Sequence, residues 1–380
     1  MLTNVKVIIG GNYGDEGKGL ATDYFASKPR KRFEDCIVVL SNGGSQRGHT
    51  VTLPNGKRHV FRHYCAGTFA QAFTYLPKYY IVNPMNWMRE YRKLSSTFIP
   101  RLMLINKDCK LSTPFDMIAN QLIENARCDQ RHGSCGVGIW ETILRDGITV
   151  GEMYLKKKEE RADYLRFVRD DYFCKRISNK GIKLDSQLEK IVYDDNLIKH
   201  YISDFDWMMS RSVFEEDDVL DSVQYVIFEN GQGLMLDQDI VGYGKSTTPS
   251  STGLKNPAEM ISNMRNDTEV EVCYVTRPYI TRHGVGRFDE EYQKEKIHPR
   301  IIDDQTNKWN QFQGDLRYGV FDREEFIKRV DDDFNSYAKP NWKKSIFFTH
   351  VNEAPSYMDD LIETASYTSD GFTRNSVTMR

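Results

Sequence analysis

The order of three short segments near the start of the chain restricts its fold more than any other feature. Residues 5–9 are mostly apolar and predict a buried strand, residues 10–19 form a glycine-rich loop, and residues 20–26 predict a helix. A strand, a glycine loop and a helix in this order place backbone N–H groups and a helix N-terminus around an anion. The segment therefore predicts a phosphate-binding loop in a parallel α/β sheet.

This loop departs from the common phosphate loop in two ways. The common pattern ends in Gly-Lys followed by Ser or Thr, whose hydroxyl binds Mg²⁺. Here Gly19 follows Lys18, and the first glycine is one residue out of place. A P-loop kinase or GTPase is therefore disfavoured, and another group has to hold the metal. Asp15, inside the loop, is the candidate ligand.

Further apolar runs predict the rest of the sheet. They lie at residues 36–40, 79–82, 225–228, 270–275 and 345–348. Each leads into a loop with polar or glycine residues, and ligands of parallel α/β sheets bind at such strand ends. We predict one large α/β domain over residues 1–380, with a mostly parallel central sheet flanked by helices and a helical insertion at about residues 154–222.

Composition limits the compartment and the partners of the protein. Of 380 residues, 39% are hydrophobic, which is enough for a sizeable core, and the formal net charge of −2 with no basic stripe argues against nucleic acid as a partner. No apolar run is long enough to span a bilayer, so no membrane partner is expected. The cysteines are scattered without a Cys-x-x-Cys pair, and the N-terminus lacks a signal-peptide pattern. These features predict a cytoplasmic protein.

Three more loops carry candidate site residues. Residues 41–50 follow a predicted strand, and His49 in this glycine-rich stretch is a plausible general acid. Gln232, between two glycines after another predicted strand, can present its amide to the edge of a base. The small and hydroxyl-bearing residues of 132–138 suit a monophosphate. Cys135 in that loop has no visible histidine partner, which disfavours covalent catalysis.

With these loops described, the chain resembles the adenylosuccinate synthetase family. The sequence GDEGKG at residues 14–19 matches that family's most specific motif, and GHT at 48–50 matches its second. FENGQG at 228–233 is similar to the family's Phe-Glu-Gly-Ala-Gln-Gly, and shorter matches continue to residue 353. The resemblance implies a P-loop-related fold with inserted helices. It also implies an Mg²⁺-dependent ligase that joins L-aspartate to the 6-position of a purine nucleoside monophosphate through a 6-phosphoryl intermediate.

The resemblance implies roles for individual residues. Asp15 is expected to remove the proton from N1 of the base and, with the Gly48 carbonyl, to bind Mg²⁺. His49 is expected to stabilise the transferring phosphoryl group, Lys18 to neutralise phosphate charge, and Gln232 to bind the base near its 6-oxygen. The remaining nucleotide contacts are expected from Asn12, Gly14, Glu16, Gly17, Gly19, Gln46, Gly48, Thr50, Ser134, Cys135, Arg145, Asn230, Thr247 and Asn352.

The resemblance is loosest for the amino-acid substrate and for the subunit contact. The family's arginine run is reduced here, so Gln313, Gly314 and Arg317 are the candidates for aspartate binding. The planar guanidinium of Arg317 suits a carboxylate. Arg145 resembles an arginine that reaches the 5′-phosphate across an interface, which implies a homodimer.

Asn352 bears on the phosphate donor, ATP or GTP. It stands where the family has an aspartate that accepts two hydrogen bonds from guanine. An amide both donates and accepts, which suits adenine better than guanine. The sequence therefore favours ATP or dATP over GTP.

The acceptor nucleotide is open between two classes. The short chain and the altered loops resemble a phage branch of the family, the 2-aminoadenylosuccinate synthetases, which act on dGMP with ATP or dATP as donor. Members of that branch often carry serine where this chain has Asp15, so IMP or dIMP is favoured and dGMP is the alternative. A non-catalytic nucleotide-binding protein is disfavoured, because Asp15 and His49 are both present.

Overall fold

A computed structural model describes residues 2–28, 35–239, 246–309 and 311–380 of the protein. The strands are β1 (Leu2–Gly10), β2 (Cys36–Val39), β3 (His49–Thr52), β4 (Arg58–Phe61), β5 (Phe73–Leu76), β6 (Met103–Ile105), β7 (Ser212–Phe214), β8 (Tyr225–Glu229), β9 (Asp267–Thr276), β10 (Ile280–His283), β11 (Leu316–Gly319), β12 (Lys343–Phe348), β13 (Tyr367–Ser369) and β14 (Val377–Met379). The α-helices are α1 (Lys18–Ala26), α2 (Pro84–Ser95), α3 (Pro114–Ala126), α4 (Ile139–Leu144), α5 (Val150–Leu155), α6 (Lys158–Phe167), α7 (Cys174–Ser178), α8 (Ser186–Val192), α9 (Asp195–Met209), α10 (Lys255–Ser262), α11 (Lys294–Ile297), α12 (Arg323–Tyr337) and α13 (Asp359–Glu363).

A sheet of ten strands, in the order β14-β13-β12-β9-β1-β8-β2-β5-β6-β7, forms the centre of the molecule. Its neighbouring strands are parallel except β13 and β14. Along β1, Val7 and Ile9 join one buried apolar cluster and Ile8 joins the other. Such strands read as continuous apolar runs because a parallel sheet is buried on both faces. The predicted α/β class with a mostly parallel sheet is confirmed.

The carboxyl ends of the central strands bring the predicted loops together. The Asn230 N–H donates to the Ile8 carbonyl (3.1 Å), and the Thr349 N–H donates to the Thr276 carbonyl (2.8 Å). Two antiparallel pairs, β3 with β4 and β10 with β11, complete this edge. His49 is the first residue of β3, so the hairpin places it beside the end of β8.

The predicted strand at residues 79–82 is wrong. The sheet instead takes β5 from residues six positions earlier in the chain, and Ile81 and Val82 form only isolated bridges. Tyr80, Ile81 and Val82 are all buried. Their apolar character therefore reflected burial beside the sheet and not pairing within it.

Between β6 and β7 the chain runs through α3 to α9. A π-helical segment, Val168–Phe173, joins α6 to α7. The chain then returns to the edge of the sheet as β7. Within the described residues, no helix combines the length and the apolar character needed to cross a bilayer.

Candidate active site

A cavity of about 870 Å³ lies at the carboxyl edge of the sheet. Its wall is built from loops that are far apart in the sequence. The predicted site residues that line it are Gly14, Asp15, Gln46, Gly48, His49, Ser134, Cys135, Gln232, Thr247 and Gln313. The fold thus brings the predicted general base Asp15, the predicted general acid His49 and the Gln232 amide, which is predicted to contact the purine, into one cavity.

The loop at residues 10–17 closes on an internal carboxylate. Glu16 Oε1 accepts from the N–H groups of Asn12 (3.0 Å) and Gly14 (2.8 Å), and Glu16 Oε2 pairs with Lys18 Nζ (3.1 Å). Lys18 also donates to the Gly14 carbonyl. Glu16 and Lys18 are buried. The donors that suit a phosphate thus hold Glu16 in this structure, and an anion that binds to them has to displace its carboxylate.

The glycines of this loop allow close approach between backbone segments. Gly17 has φ +98°, a left-handed conformation that favours glycine, immediately before α1. A β-carbon on Gly19 would lie 2.6 Å from the Thr50 carbonyl oxygen. Helix α1 therefore packs directly on β3, and the missing Ser or Thr hydroxyl at position 19 is a condition of that packing.

Two predicted asparagines fasten loops and do not line the cavity. Asn12 Nδ2 donates to Thr276 Oγ1 (2.9 Å), and its Oδ1 accepts from Arg329 Nη2 (2.7 Å). Asn230 Nδ2 donates to the carbonyls of Thr252 (2.8 Å) and of residue 253 (2.7 Å). Both amides are buried and hydrogen-bonded to other loops, so they stabilise the shape of the site.

Asp15 is half-buried, and its carboxyl is unpaired. Its backbone carbonyl accepts from Arg277 Nε (2.7 Å), while its side chain has no hydrogen-bond or ion-pair partner among the described residues. Burial raises the pKa of Asp15 above its ordinary value, against the opposing charges of Arg277 and His283. A carboxylate with a raised pKa is a stronger general base.

His49 is held by a buried acid. Its Nδ1 is hydrogen-bonded to Glu229 Oε1, the same oxygen accepts from Arg47 Nη2 (2.9 Å), and Oε2 accepts from the Ala66 N–H (2.8 Å). An ionised carboxylate only accepts, so Nδ1 carries the proton and Nε2 keeps its lone pair. Burial lowers the pKa of His49 to about 4 against the pull of Glu229, so the resting imidazole is neutral.

Glu229 and Arg47 were missed as site residues by the sequence reasoning. Burial alone would raise the pKa of Glu229, but His49, Arg47 and the Ala66 N–H hold it below its ordinary value. A charged residue at the end of an apolar strand indicates a buried ion pair or a functional site, because an unpaired buried charge is costly. Its arginine partner lies 182 residues away and leaves no mark in local spacing.

Two glutamine amides in the cavity wall lack partners. Gln46 Oε1 and Nε2 and Gln232 Oε1 are buried and make no hydrogen bond within the described chain. A β-carbon on Gly43 would lie 2.9 Å from Gln46 Nε2 and 3.3 Å from Gln232 Oε1, which places both amides beside Gly43. Leaving such groups unsatisfied costs about 1–3 kcal/mol each. The pair therefore indicates a polar ligand that supplies the missing bonds.

Asp15 and Gly48 fit the predicted Mg²⁺ site by their chemistry. Gly48 is exposed at the cavity wall, and Asp15 offers a free carboxylate. Mg²⁺ usually takes one or two protein carboxylates together with substrate phosphates and water. Within the described ranges no three His, Cys, Asp or Glu side chains are grouped to bind a metal without such help.

Hydrogen bonds hold part of the loop at residues 132–138. Ser134 Oγ donates to Asn120 Oδ1 (2.9 Å) and accepts from the Gly136 N–H (3.2 Å). Burial raises the pKa of the Cys135 thiol. A protonated thiol is a poor nucleophile, which agrees with a binding function for this loop.

Arg145 does not line the cavity. Its Nε and Nη2 bind Asp116 Oδ1 (2.9 Å) and Oδ2 (2.8 Å), and Nη2 also donates to the Leu111 carbonyl (3.1 Å). Nη1 donates to the Tyr164 hydroxyl. In this single chain the guanidinium is fully engaged, and its role across a homodimer stays a prediction.

Of the residues predicted to bind aspartate or the donor base, only one lines the cavity. Gln313 lines the cavity, but Arg317 donates to Glu291 and to the carbonyls of residues 284 (3.1 Å) and 286 (2.9 Å). The Gly314 carbonyl contacts His283 Nε2 (3.1 Å) and lies outside the cavity wall. Asn352 is exposed in the 3-10 segment Val351–Glu353, which follows β12.

Comparisons with known proteins agree with these observations. The model of the adenylosuccinate synthetase family matches residues 7–323. The adenylosuccinate synthetase of Lactobacillus helveticus is 29% identical over 305 residues, which cover 78% of this chain and 67% of that protein. The enzyme of Limosilactobacillus reuteri is 28% identical over 298 residues, 76% of this chain and 65% of that protein. The matched region therefore spans about two thirds of the length of these relatives.

Two solved structures share the fold. The fully ligated adenylosuccinate synthetase from Plasmodium falciparum has a TM-score of 0.71 at 17% identity, covering 99% of this chain and 100% of that one. The succinoaminodeoxyadenylate synthetase (PurZ) of cyanophage S-2L, bound to dGMP and dATP, has a TM-score of 0.62 at 13% identity, covering 100% and 96%. At these identities the likeness shows the fold, and with the family match it confirms the resemblance inferred from the motifs.

Proposed function

Because this chain belongs to the adenylosuccinate synthetase family, a family of C–N bond-forming ligases, we propose that it is a purine nucleotide ligase. It joins L-aspartate to the 6-position of IMP or dIMP and converts a nucleoside triphosphate to the diphosphate and phosphate. The observation that carries this proposal is the meeting of Asp15, His49 and the unpaired amides of Gln46 and Gln232 in one cavity.

The first chemical step is phosphoryl transfer to the base. Asp15 takes the proton from N1, the 6-oxygen attacks the terminal phosphorus, and the nucleoside diphosphate leaves. Burial raises the pKa of Asp15, which makes it a better base for a weakly acidic ring N–H. Gln232 lines the same cavity, and its amide NH₂ group is the proposed donor to the 6-oxygen.

Stabilising the transferring phosphoryl group falls to His49 and Lys18. Phosphoryl transfer depends chiefly on positioning and on neutralising charge. His49 is neutral at rest, and the negative phosphoryl oxygens favour a proton on Nε2, which then donates to them. Lys18 becomes available when the phosphates displace Glu16. When bound, Mg²⁺ supplies charge to the same oxygens, and the Asp15 carboxylate and the Gly48 carbonyl would hold it.

The second step forms the C–N bond. The amine of aspartate attacks C6 and loses a proton, and phosphate leaves with the former 6-oxygen. Gln313 in the cavity wall is a candidate contact for the amino acid. Arg317 becomes a second contact only if Glu291 releases it.

A second candidate acceptor is dGMP. The structural neighbour PurZ was solved with dGMP and dATP, and Asn352 suits an adenine donor better than a guanine donor. Asp15 favours IMP or dIMP, because members of the phage branch that act on dGMP often carry serine at this position. ATP or dATP is the proposed donor for either acceptor.

The test is a substrate panel. Purified protein is incubated with Mg²⁺, aspartate, ATP or GTP, and each of IMP, dIMP, GMP and dGMP, and the products are identified by mass spectrometry. We expect a succinylated product from IMP or dIMP with ATP, and none from Asp15→Ala or His49→Asn. Absence of product in every combination would reject the proposal, and product from dGMP alone would select the second acceptor.

We propose a homodimer in which Arg145 of one subunit reaches the other subunit's site. An inactive Arg145→Leu protein mixed with an inactive Asp15→Ala protein should regain part of the activity. Wild-type activity of Arg145→Leu alone, or no gain on mixing, would count against a shared site.

A further inference from the structure

We propose that Arg62, supported by Arg89 and Lys93, is the site at which this chain itself binds the 5′-phosphate of the acceptor nucleotide. The inference rests on the proposed function, since it concerns the same cavity. No motif marks these residues, and they would bind the phosphate from the same chain, beside the Arg145 that the proposed homodimer would bring from the partner subunit.

The cavity wall carries four cationic side chains that form no ion pair with a described acid. Arg62, Arg89, Lys93 and Lys308 all line it, and none of them forms an ion pair with a described residue. The acids on this wall are Asp15 and Glu90, and Glu90 is buried and accepts the N–H groups of Arg62 (2.9 Å) and His63 (2.7 Å). Unpaired cations that line one cavity favour an anionic ligand there.

Arg62 is held ready to bind an anion. Its Nη1 donates to the carbonyls of Ser45 (2.9 Å) and Arg47 (2.9 Å), in the loop that carries Gln46. Within the described chain Nε and Nη2 make no hydrogen bond. One nitrogen therefore fixes the plane of the guanidinium, and the others are free to form a fork on phosphate oxygens.

Arg62 lines the same cavity as the loop at residues 132–138, which is predicted to bind a monophosphate. Among charged groups, Arg62 has the largest effect on the pKa of Cys135, opposing the rise that burial causes. From α2, Asn86, Arg89 and Lys93 face the same cavity at the spacing of one helix face, and Asn86 Nδ2 donates to Ser45 Oγ (3.1 Å). The cluster and the 132–138 loop thus line the same cavity.

Arg145 is a poor competitor for this phosphate within one chain. Both oxygens of Asp116 hold its guanidinium, and the side chain is buried outside the cavity wall. Releasing it would leave the Asp116 carboxylate buried and unpaired, which is costly. Arg62 needs no such rearrangement.

The experiment compares ligands with and without the phosphate. Calorimetric titration measures the Kd of IMP, dGMP, inosine and deoxyguanosine for wild type, Arg62→Ala and the control Arg92→Ala. Arg92 lies on α2 but does not line the cavity. Losing a charge-assisted contact should raise the Kd of the nucleotide about 10- to 100-fold in Arg62→Ala. The Kd of the nucleoside should not change, and Arg92→Ala should match wild type.

Two results would overturn the inference while leaving the proposed function intact. One is an unchanged nucleotide Kd in Arg62→Ala. The other is an equal loss for nucleotide and nucleoside, which would mean that Arg62 only shapes the cavity. If the wild type bound none of the nucleotides, the proposed function would fail and this inference with it. Arg62→Gln, which keeps a donor but removes the charge, should also weaken nucleotide binding selectively, so the conclusion does not depend on one variant folding.

Discussion

Replacing Glu229 by glutamine tests how the site holds His49. The Glu229 and Arg47 side chains are 2% and 1% exposed, so water cannot compensate for the lost charge. Both carboxylate oxygens receive donors, and a glutamine amide can accept at only one of these positions. Whichever way the amide turns, the buried Arg47 loses its counter-charge, and removing one partner of a buried pair costs about 3–5 kcal/mol.

The expected loss separates stability from catalysis. By urea unfolding, Glu229→Gln should lose about 3–5 kcal/mol, and adding Arg47→Met should restore a large part because the orphaned charge is gone. Neither protein should regain normal kcat, since His49 has lost its carboxylate partner in both.

Glu271→Gln is the matched control. Glu271 is a strand glutamate on β9 that pairs with Lys6, and it does not line the cavity. This variant should keep wild-type turnover. Near-wild-type stability and turnover of Glu229→Gln, or purely additive losses in the double variant, would refute the reasoning.

Three further predictions follow from single residues. Gly19→Ser should lower Tm and kcat without strengthening Mg²⁺ binding, because its β-carbon would lie 2.6 Å from the Thr50 carbonyl; an active, stable variant would contradict this. Asn352→Asp should raise the GTP-to-ATP ratio of initial rates about tenfold or more; an unchanged ratio would exclude Asn352 from reading the donor base. Burial raises the pKa of Asp333 to about 6, so the folded protein holds this proton more tightly than the unfolded chain does. Stability should therefore fall as pH rises from about 4 to 6, by up to about 3 kcal/mol more in wild type than in Asp333→Asn; equal pH dependence in urea unfolding would contradict it.

The sequence predicted the parts of this protein that depend on local pattern. Residues 5–26 have strand, loop and helix signals in direct succession, and β1 and α1 form as expected. Asp15 and His49 could be paired in advance because both follow apolar strands whose ends meet at one edge. The predicted strand at residues 79–82 was wrong because apolar residues indicate burial, while strand pairing depends on neighbours far along the chain.

Partners set by tertiary contacts were beyond the reach of the sequence. The local sequence around Arg317 does not predict Glu291 as its partner, and the local sequence around Arg145 does not predict Asp116. Arg62 belongs to no motif, and only its position in the cavity wall indicates a binding role. Side-chain roles in this site therefore follow from which charges the fold leaves unpaired.

The central claim is that the 6-oxygen of the base is phosphorylated and then leaves with the phosphate. The most direct test uses acceptor nucleotide, IMP or dGMP, labelled with ¹⁸O at the 6-position, with Mg²⁺, aspartate and ATP. Mass spectrometry should find the label in inorganic phosphate, in an amount equal to the succinylated product. Product formation with the label in water, or label retained in the nucleotide product, would contradict the mechanism.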